Sequence, residues 1–368
     1  MSAVAKRILG ALRHQPLLWL LAAVPAVLVG HRLAPEAHTW LFGLSVLAIV
    51  PLASLLSRAT ESVAAKTGDA VGGLLNATLG NLTELVIALT ALRAGQYMLV
   101  KASVAGAIVT NTLFMLGASF LLGGLRHHTQ EYNRTAARLQ AGLLFLATIA
   151  LLIPSAISLA DAAPPAAFTA RLSLGVSVLL ILGYGLGLVF SLHTHREWFQ
   201  SAGAGEEHGT PWPLGAALLT LAGVTVLVAL VSEVFVESVQ VAAPALGLTP
   251  AFVGFIVVAL VGGAAEMVAA FAGARRNRLD LSVGIALGSA AQIALFVAPV
   301  LVLASYLIGP APMDLLFWPG AVVMIFLSVL TVALLTSEGR SAWFIGVLAL
   351  LTYALFAMML YLLPPRAA

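Results

Sequence analysis

Eleven long apolar runs dominate this 368-residue chain. An α-helix needs about 20 mostly apolar residues to cross a bilayer. The runs lie near residues 16–34, 38–57, 70–92, 97–123, 139–160, 170–192, 211–236, 250–274, 281–304, 314–336 and 341–363. A membrane β-barrel would instead show segments of about ten residues with alternating hydrophobicity, so helices are favoured. The expected fold class is therefore an all-α integral membrane protein with about eleven transmembrane helices.

Composition agrees with this interpretation, because 61% of the residues are hydrophobic and only 9% are charged. Ordinary soluble domains have about 45–50% and about 25%. The first run is too long for a signal peptide and is expected to remain as a helix. The chain contains no cysteine, which excludes disulfides, thiolate metal sites and cysteine nucleophiles.

The basic residues predict the orientation in the membrane. With the N-terminus inside, 13 of the 18 Lys and Arg fall on the inner side and 5 on the outer side. Cytoplasmic loops of membrane proteins collect basic residues. Because the basic residues collect on one side, the net charge of +3 is explained by orientation in the membrane. The expected partner is therefore a lipid bilayer and no nucleic acid. We expect a bacterial inner-membrane protein with a cytoplasmic N-terminus, and the oligomeric state stays open.

An internal repeat relates the two halves of the chain. The stretch "GNLTELVIALTALR" at Gly80 matches "GGAAEMVAAFAGARR" at Gly262, with an offset of 182 residues. The predicted domains are an N-terminal helix at 1–37, a first repeat at 38–192, a cytoplasmic linker at 193–210 and a second repeat at 211–368. Because each repeat holds five helices, the second is inverted. Inverted repeats are typical of secondary transporters, which bind their substrate near the midplane.

Each repeat places a glutamate, Glu84 or Glu266, in the middle of an apolar span. A charged side chain there costs about 2.5–3.5 kcal/mol on insertion scales, so such residues are usually functional. Gly80 and Gly262 precede them by four residues and weaken the helix, which would expose carbonyl oxygens. Carboxylates and carbonyls suit a hard cation such as Ca²⁺. The structural alternative is a protonated glutamate that bonds a neighbouring helix.

Other polar residues could complete this site or lead to it. Asn81, Ser289 and Gln292 are the predicted additional ligands. Candidates for a proton or ion pathway are Thr110, Asn111, Glu61, Glu233 and Glu237, although the last three would look the same as water-facing helix ends. An empty, doubly ionised pair of glutamates is costly in low dielectric, so the return step requires protons. The sequence therefore predicts cation/proton antiport by alternating access, without a cofactor.

At this point the residues resemble a known family. The segments "GGLLNATLGNLTELVIALTAL", "GAIVTNTLFMLG" and "VGGAAEMVAAFAGARRNRLDLSVGIALGSAAQIALFVAP" are similar to the signature repeats of the Ca²⁺/H⁺ antiporter (CAX) family, within the cation/Ca²⁺ exchanger superfamily. The resemblance implies an eleven-helix exchanger that extrudes cytosolic Ca²⁺ in exchange for protons. It also implies that Glu84 and Glu266 are the central ligands, with Asn81, Ser289 and Gln292 beside them.

Two departures from the family pattern bear on selectivity. Gly263 and Met267 stand where the family usually has asparagine and histidine, and the acidic linker is reduced to Glu206 and Glu207. An exchanger of the same fold for Na⁺, K⁺ or Mn²⁺ is therefore the first alternative. A cation channel is less favoured, since channels are usually symmetric about an axial pore. An intramembrane enzyme is not expected, because HExxH, GxSxG and cysteine are all missing.

Overall fold

The computed structural model describes residues 16–67, 69–160, 165–195, 197 and 212–363. Most of the predicted 193–210 linker lies outside the described residues, as does the N-terminus up to residue 15. The helices are α1 (Ala23–Leu33, after a 3₁₀ segment Pro16–Ala22), α2 (His38–Lys66), α3a (Asp69–Leu79), α3b (Leu82–Arg93), α4 (Tyr97–His127), α5 (Arg134–Ala160), α6 (Ala166–Val189), α7 (Leu214–Ala245), α8a (Pro250–Gly262), α8b (Ala264–Arg275), α9 (Leu279–Ile308), α10 (Pro319–Leu335) and α11 (Trp343–Leu362). Two short strands, β1 (Thr129–Glu131) and β2 (Arg340–Ala342), pair in antiparallel fashion.

Helix length and composition confirm an integral membrane fold. Seven helices are long and apolar enough to cross a bilayer, and the bent pairs α3a–α3b and α8a–α8b raise the number to nine within the described residues. The remaining apolar helices, Trp19–Leu33 and Pro319–Leu335, are shorter. The predicted number of eleven spans therefore stays a prediction.

The two broken helices sit at equivalent places in the repeats. The axis bends by 44° between α3a and α3b, at Gly80 and Asn81, and by 58° between α8a and α8b, at Gly263. Glycine lacks the side chain that would stabilise a continuous helix, which is why the breaks fall there. A π-helical turn also occurs in both halves, at Thr110–Met115 in α4 and at Ile293–Val297 in α9. The repeat is thus visible in local backbone geometry.

The helix ends form two faces, which we name after the predicted orientation. At the inner face, β1 and β2 join the α4–α5 and α10–α11 loops, and Gln130 donates hydrogen bonds to the Ala274 carbonyl and to Asn277 Oδ1, both at 2.9 Å. At the outer face, Lys101 Nζ lies 2.5 Å from Asp314 Oδ1 and ties the α9–α10 loop to α4. Equivalent loops are therefore tied together at both faces.

Helices α2 and α7 pack antiparallel along much of their length. Phe42 near the start of α2 stacks on Phe235 near the end of α7, with ring centroids 5.5 Å apart. Both helices also contact the broken helices, α7 at α3b and α2 at α8b. The pair carries three of the predicted pathway residues, Glu61 on α2 and Glu233 and Glu237 on α7.

Candidate functional site

The two central glutamates occupy the same position in their helices. Glu84 lies in the first turn of α3b and Glu266 in the first turn of α8b, and both side chains are half-buried. A carboxylate is stabilised near a helix N-terminus because the backbone N–H groups there carry partial positive charge. The break in each span therefore places a carboxylate in the membrane interior where the helix backbone favours its charge.

Glu84 of the first repeat packs directly against the break of the second. A Cβ atom built on Gly262 would lie 2.9 Å from Glu84 Cγ and 3.3 Å from Glu84 Oε1. Glu84 is also close enough to act electrostatically on Glu266, whose Oε2 atom is buried without a hydrogen-bond partner among the described residues. The structure thus brings the two glutamates together, at a point where the absence of a side chain on Gly262 provides the space for Glu84.

The break of the first repeat makes the corresponding contact with α9. A Cβ atom on Gly80 would lie 3.4 Å from Gln292 Oε1. Gly80 itself donates its backbone N–H to the Asn76 carbonyl at 2.9 Å. Gly262 is therefore needed for the close approach of Glu84, whereas a Cβ atom on Gly80 would lie 2.7 Å from the Asn76 carbonyl oxygen and only in ordinary contact with Gln292.

A directed chain of hydrogen bonds crosses the site. Asn111 Nδ2 donates to Ser289 Oγ at 2.9 Å, Ser289 Oγ donates to Asn81 Oδ1 at 2.7 Å, and Asn81 Nδ2 donates to Gln292 Oε1 at 2.5 Å. Asn81, Asn111 and Ser289 are at most 4% exposed. Four of the predicted site residues, contributed by α4, α9 and the first break, thus form one buried polar group beside the glutamates.

These groups offer oxygen atoms and little else to a cation. Among the described residues, no three His, Asp or Glu side chains lie together, so a cation held at the two glutamates must take its other ligands from amide, hydroxyl and carbonyl oxygens. The C-terminal ends of α3a and α8a point into the same breaks, and their carbonyls carry partial negative charge. Such mixed oxygen ligands suit Ca²⁺, which takes 6–8 of them.

Thr110 behaves differently from its neighbour Asn111. Its hydroxyl lies 3.2 Å from the hydroxyl of Tyr353 on α11, and both side chains are buried. Consecutive residues in a helix point in different directions, so only one of the two can face the glutamates. The structure does not bring Thr110 to the central site, and it lines neither of the two cavities described next.

A cavity of about 280 Å³ runs from the central site to the inner face. Glu266, Ser289 and Gln292 line its deep end, and Glu61 and Asp280 line the part towards the inner face. Ser57 on α2 donates a hydrogen bond to Glu61 Oε1 at 3.2 Å. Asp280, which also accepts a hydrogen bond from the Asn133 backbone N–H, was not among the predicted residues. Its place at the start of α9, after a run of arginines, was the available signal.

A second cavity, of about 330 Å³, opens at the outer face between α3b and α7. Glu233 and Glu237 line it, with Arg93 Nη1 lying 3.6 Å from Glu233 Oε1 and His31 Nε2 lying 3.8 Å from Glu237 Oε2. Neither central glutamate lines this cavity, whereas Glu266 lines the inner one. The described conformation is therefore open towards the inner face.

Comparisons with known proteins agree with this architecture. The family model for "Sodium/calcium exchanger protein" matches residues 37–193 and 216–362. The chain is 40% identical over 359 residues to a Ca(2+)/H(+) antiporter of Aphanothece halophytica, covering 94% of this chain and 96% of the relative. It is 39% identical over 347 residues to the Ca(2+)/H(+) antiporter ChaA of Bacillus subtilis, covering 93% and 97%.

A solved structure extends the likeness to three dimensions. The structure of native YfkE matches with a TM-score of 0.81 and 36% sequence identity, covering 94% of this chain and all of that chain. The relatives named above are transporters and not enzymes. On the family model and on identity over nearly the whole length, this chain belongs to the sodium/calcium exchanger protein family.

Proposed function

We propose that this protein is a secondary active antiporter that exchanges Ca²⁺ for protons by alternating access. One observation carries the proposal: Glu84 packs against Gly262, so the carboxylates of two inverted repeats meet at two helix breaks, beside a cavity open to one face. Relatives that match over nearly their whole length, at 40% and 39% identity, bear the name Ca(2+)/H(+) antiporter, which supports this pair of ions.

The site provides a physical reason for coupling the two ions. With Ca²⁺ bound, Glu84 and Glu266 are ionised and neutralised by the cation, and Asn81, Ser289 and Gln292 complete the ligands. Without Ca²⁺, two buried negative charges side by side are strongly unfavourable, and protonation removes them. Without Ca²⁺, the site therefore changes its access from one face to the other only with protons bound, and Ca²⁺ moves only in exchange for them.

The carboxylates near the two faces lead to this centre in the proposed mechanism. Glu61 lies on the inner cavity, and Glu233 and Glu237 lie on the outer cavity. In the described conformation, ions reach Glu266 from the inner face. Outward access requires that the outer cavity connect to the glutamates while the inner one closes. We assign Asn111 to the site itself, through its bond to Ser289, and no pathway role to Thr110.

We further propose that the inner face is the cytoplasmic face of a bacterial inner membrane, with the N-terminus on that side. The excess of basic residues on this face supports the orientation. The two repeats, at 38–192 and 211–368, are proposed to be the units that move relative to each other during access, and 193–210 is the linker between them.

Gly263 and Met267 bear on which cation the site prefers. A Cβ atom on Gly263 would lie 3.6 Å from Asn111 Oδ1 and 3.5 Å from Met267 Cε, so the second break faces an amide and a thioether. Relative to the family pattern, one amide oxygen and one imidazole are missing there. Exchange of Na⁺, K⁺ or Mn²⁺ for protons by the same fold is the alternative.

A flux experiment tests the proposal. The purified protein is reconstituted in liposomes with an imposed pH gradient, and uptake of radioactive Ca²⁺ is measured together with a pH-sensitive dye. Proton-driven Ca²⁺ uptake that dissipates the gradient is expected, and an excess of Na⁺, K⁺ or Mn²⁺ shows by competition which cation is preferred. Ca²⁺ flux that neither uses nor dissipates the gradient would rule out antiport.

A further inference from the structure

The inner face carries a dense group of arginines that the proposed transport mechanism does not use. We call these residues the inner arginine cluster: Arg126, Arg134, Arg138, Arg275, Arg276, Arg278 and Arg340. The loops that hold them contain only three carboxylates, Glu131, Asp280 and Glu338, so their net charge is +4. Among the described residues at the outer face, four basic residues are matched by four acidic ones: Arg32, Arg93, Lys101 and Arg171 against Glu36, Glu233, Glu237 and Asp314.

Three loops are pinned together so that the cluster forms one surface. His127 Nε2 lies 3.0 Å from the Arg275 carbonyl, which joins the α4–α5 and α8–α9 loops. Glu131 stands opposite Arg340 in the β1–β2 register. Gly339, with a φ of +77°, lies so close to Arg134 that a Cβ atom on it would be 2.9 Å from Arg134 Cβ. Arginines distant in sequence thus share a surface with a fixed backbone.

Exposed apolar side chains adjoin the cluster. Leu125 precedes Arg126 and is 64% exposed, and Trp343 and Phe344 follow Arg340 at the start of α11 and are 45% and 55% exposed. The backbone of Gly124 lies directly against that of Trp343, so the two groups are neighbours. Exposed aromatic residues at helix ends are typical of the membrane–water interface. The surface therefore combines several positive charges with an apolar strip at headgroup depth.

We propose that the inner arginine cluster binds the phosphate headgroups of anionic phospholipids in the adjoining leaflet, with acyl chains against Leu125, Trp343 and Phe344. The planar guanidinium group binds phosphate oxygens through two parallel hydrogen bonds, which the lysine ammonium does not do. Every Lys or Arg position in the three loops and their flanking helix turns is an arginine, so the surface offers several such groups. The apolar strip favours a lipid over free phosphate as the occupant.

Bound anionic lipid has a consequence at the cavity mouth. Asp280 lines the inner cavity and follows Arg278 by two residues, so the cluster flanks the opening. A net charge of +4 there lowers the local concentration of divalent cations, and lipid phosphates offset it. This consequence rests on the proposed function, whereas lipid binding does not.

Lipid retention is the direct test. Purified protein in a neutral detergent is mixed with phosphatidylglycerol or phosphatidylcholine, and bound lipid is counted by native mass spectrometry alongside the melting temperature. Preferential retention of phosphatidylglycerol is expected. The triple variant Arg126→Gln, Arg134→Gln, Arg275→Gln is expected to weaken its binding by about fivefold per arginine, or roughly 100-fold. The double variant Arg32→Gln, Arg171→Gln at the outer face is the control and is expected to bind as the wild type does.

A salt titration of the wild type keeps the test decisive if the triple variant does not fold. Raising NaCl from 0.15 M to 1 M shortens the screening length from about 8 Å to about 3 Å, so phosphatidylglycerol should be released. Equal retention of both lipids, salt-insensitive retention or an equal loss in the outer-face control would overturn the proposal. Displacement of the lipid by millimolar inorganic phosphate would also overturn it, because free phosphate would then be the occupant.

The exchange assay is a separate arm. In liposomes in which phosphatidylglycerol replaces phosphatidylcholine, the apparent KM for Ca²⁺ at the inner face should fall several-fold at low salt and little in the triple variant. If lipid is retained but KM does not change, the effect on the cavity mouth is wrong and the lipid site stands. If no Ca²⁺ exchange occurs in either lipid while phosphatidylglycerol is retained, the proposed function fails and the lipid site again stands.

Discussion

The two repeats share a backbone plan but differ in what they bring to the centre. At equivalent positions after the glycine, Asn81 bonds both Ser289 and Gln292, whereas Gly263 has no side chain. In exchange, the second break bends more, by 58° against 44°, and Gly262 provides the space that Glu84 occupies. Of the two breaks, the first thus supplies an additional side-chain oxygen from Asn81, and the second supplies the space that Glu84 occupies. Duplicated halves need not remain chemically equal to form one site.

The entrances differ in the same way. By the repeat, Ser57 at the inner mouth corresponds to Glu233 at the outer one, and Glu61 corresponds to Glu237. Both outer glutamates face a basic partner, Arg93 or His31, while Glu61 accepts a hydrogen bond from Ser57. The Arg93–Glu233 ion pair therefore bridges the outer cavity, whereas Glu61 at the inner cavity is held by a hydrogen bond, which fits a conformation open to the inner face.

Removal of either central carboxylate is expected to have the largest effect. Glu84→Gln and Glu266→Gln keep the side-chain shape but remove the charge, so each should lower Ca²⁺/H⁺ exchange by about 100-fold or more, since loss of one partner of a buried charge group costs about 3–5 kcal/mol. Proton-coupled uptake in liposomes measures this. Glu36→Gln, at an exposed loop, is the control. Near-normal exchange in only one variant would show that the halves are not equally required.

Filling the space at Gly262 is expected to have the second-largest effect. Gly262→Ala would place a methyl group 2.9 Å from Glu84 Cγ and displace the carboxylate, so we expect the apparent affinity for Ca²⁺ to fall about tenfold, equivalent to about 1.4 kcal/mol. Gly142→Ala, where nothing lies within 4 Å, is the matched control and should have no effect. Both are compared by KM at constant protein amount. A wild-type KM in Gly262→Ala would contradict the contact.

Substitutions at Asn81 and Gly263 test the difference between the two breaks. Asn81→Gly makes the first break resemble the second. It removes one ligand and two hydrogen bonds, with a total net cost of about 1 kcal/mol, and should therefore weaken Ca²⁺ binding by about fivefold. Gly263→Ala, which adds no oxygen, should change it by less than about twofold. Gly263→Asn with Met267→His should tighten binding. Unchanged affinity in that double variant would mean that Asn111 and Ser289 already complete the ligands.

The entrance glutamates are expected to have the smallest effect and one that depends on the side of the membrane. Glu61→Gln should raise the KM for Ca²⁺ about two- to threefold from the inner side only, and Glu237→Gln by a similar factor from the outer side only, as expected for charges that attract cations without binding them tightly. Transport in vesicles of known orientation separates the two. Equal effects from both sides would remove the distinction between the entrances.

Local sequence signals predicted much of this site. The glycines before Glu84 and Glu266 predicted the breaks, and the repeat predicted that these residues are equivalent. The signals failed where direction mattered: Thr110 and Asn111 are adjacent, and composition does not show which one faces the glutamates and which faces Tyr353. Strands β1 and β2 have three residues each, too few for any periodic pattern to show.

Two effects depend only on the composition and the local sequence. Apolar side chains are buried in lipid, and each backbone polar group forms its hydrogen bond within its own helix. They were sufficient to predict a helical membrane protein, and the internal repeat predicted two inverted halves with one glutamate in an apolar span of each. The bond between Asn81 and Gln292 joins residues 211 positions apart, and the contact of Glu84 with Gly262 likewise links the two halves. Such contacts depend on how helices pack and where they bend, so only the tertiary structure reveals them, together with the cavity that opens to the inner face.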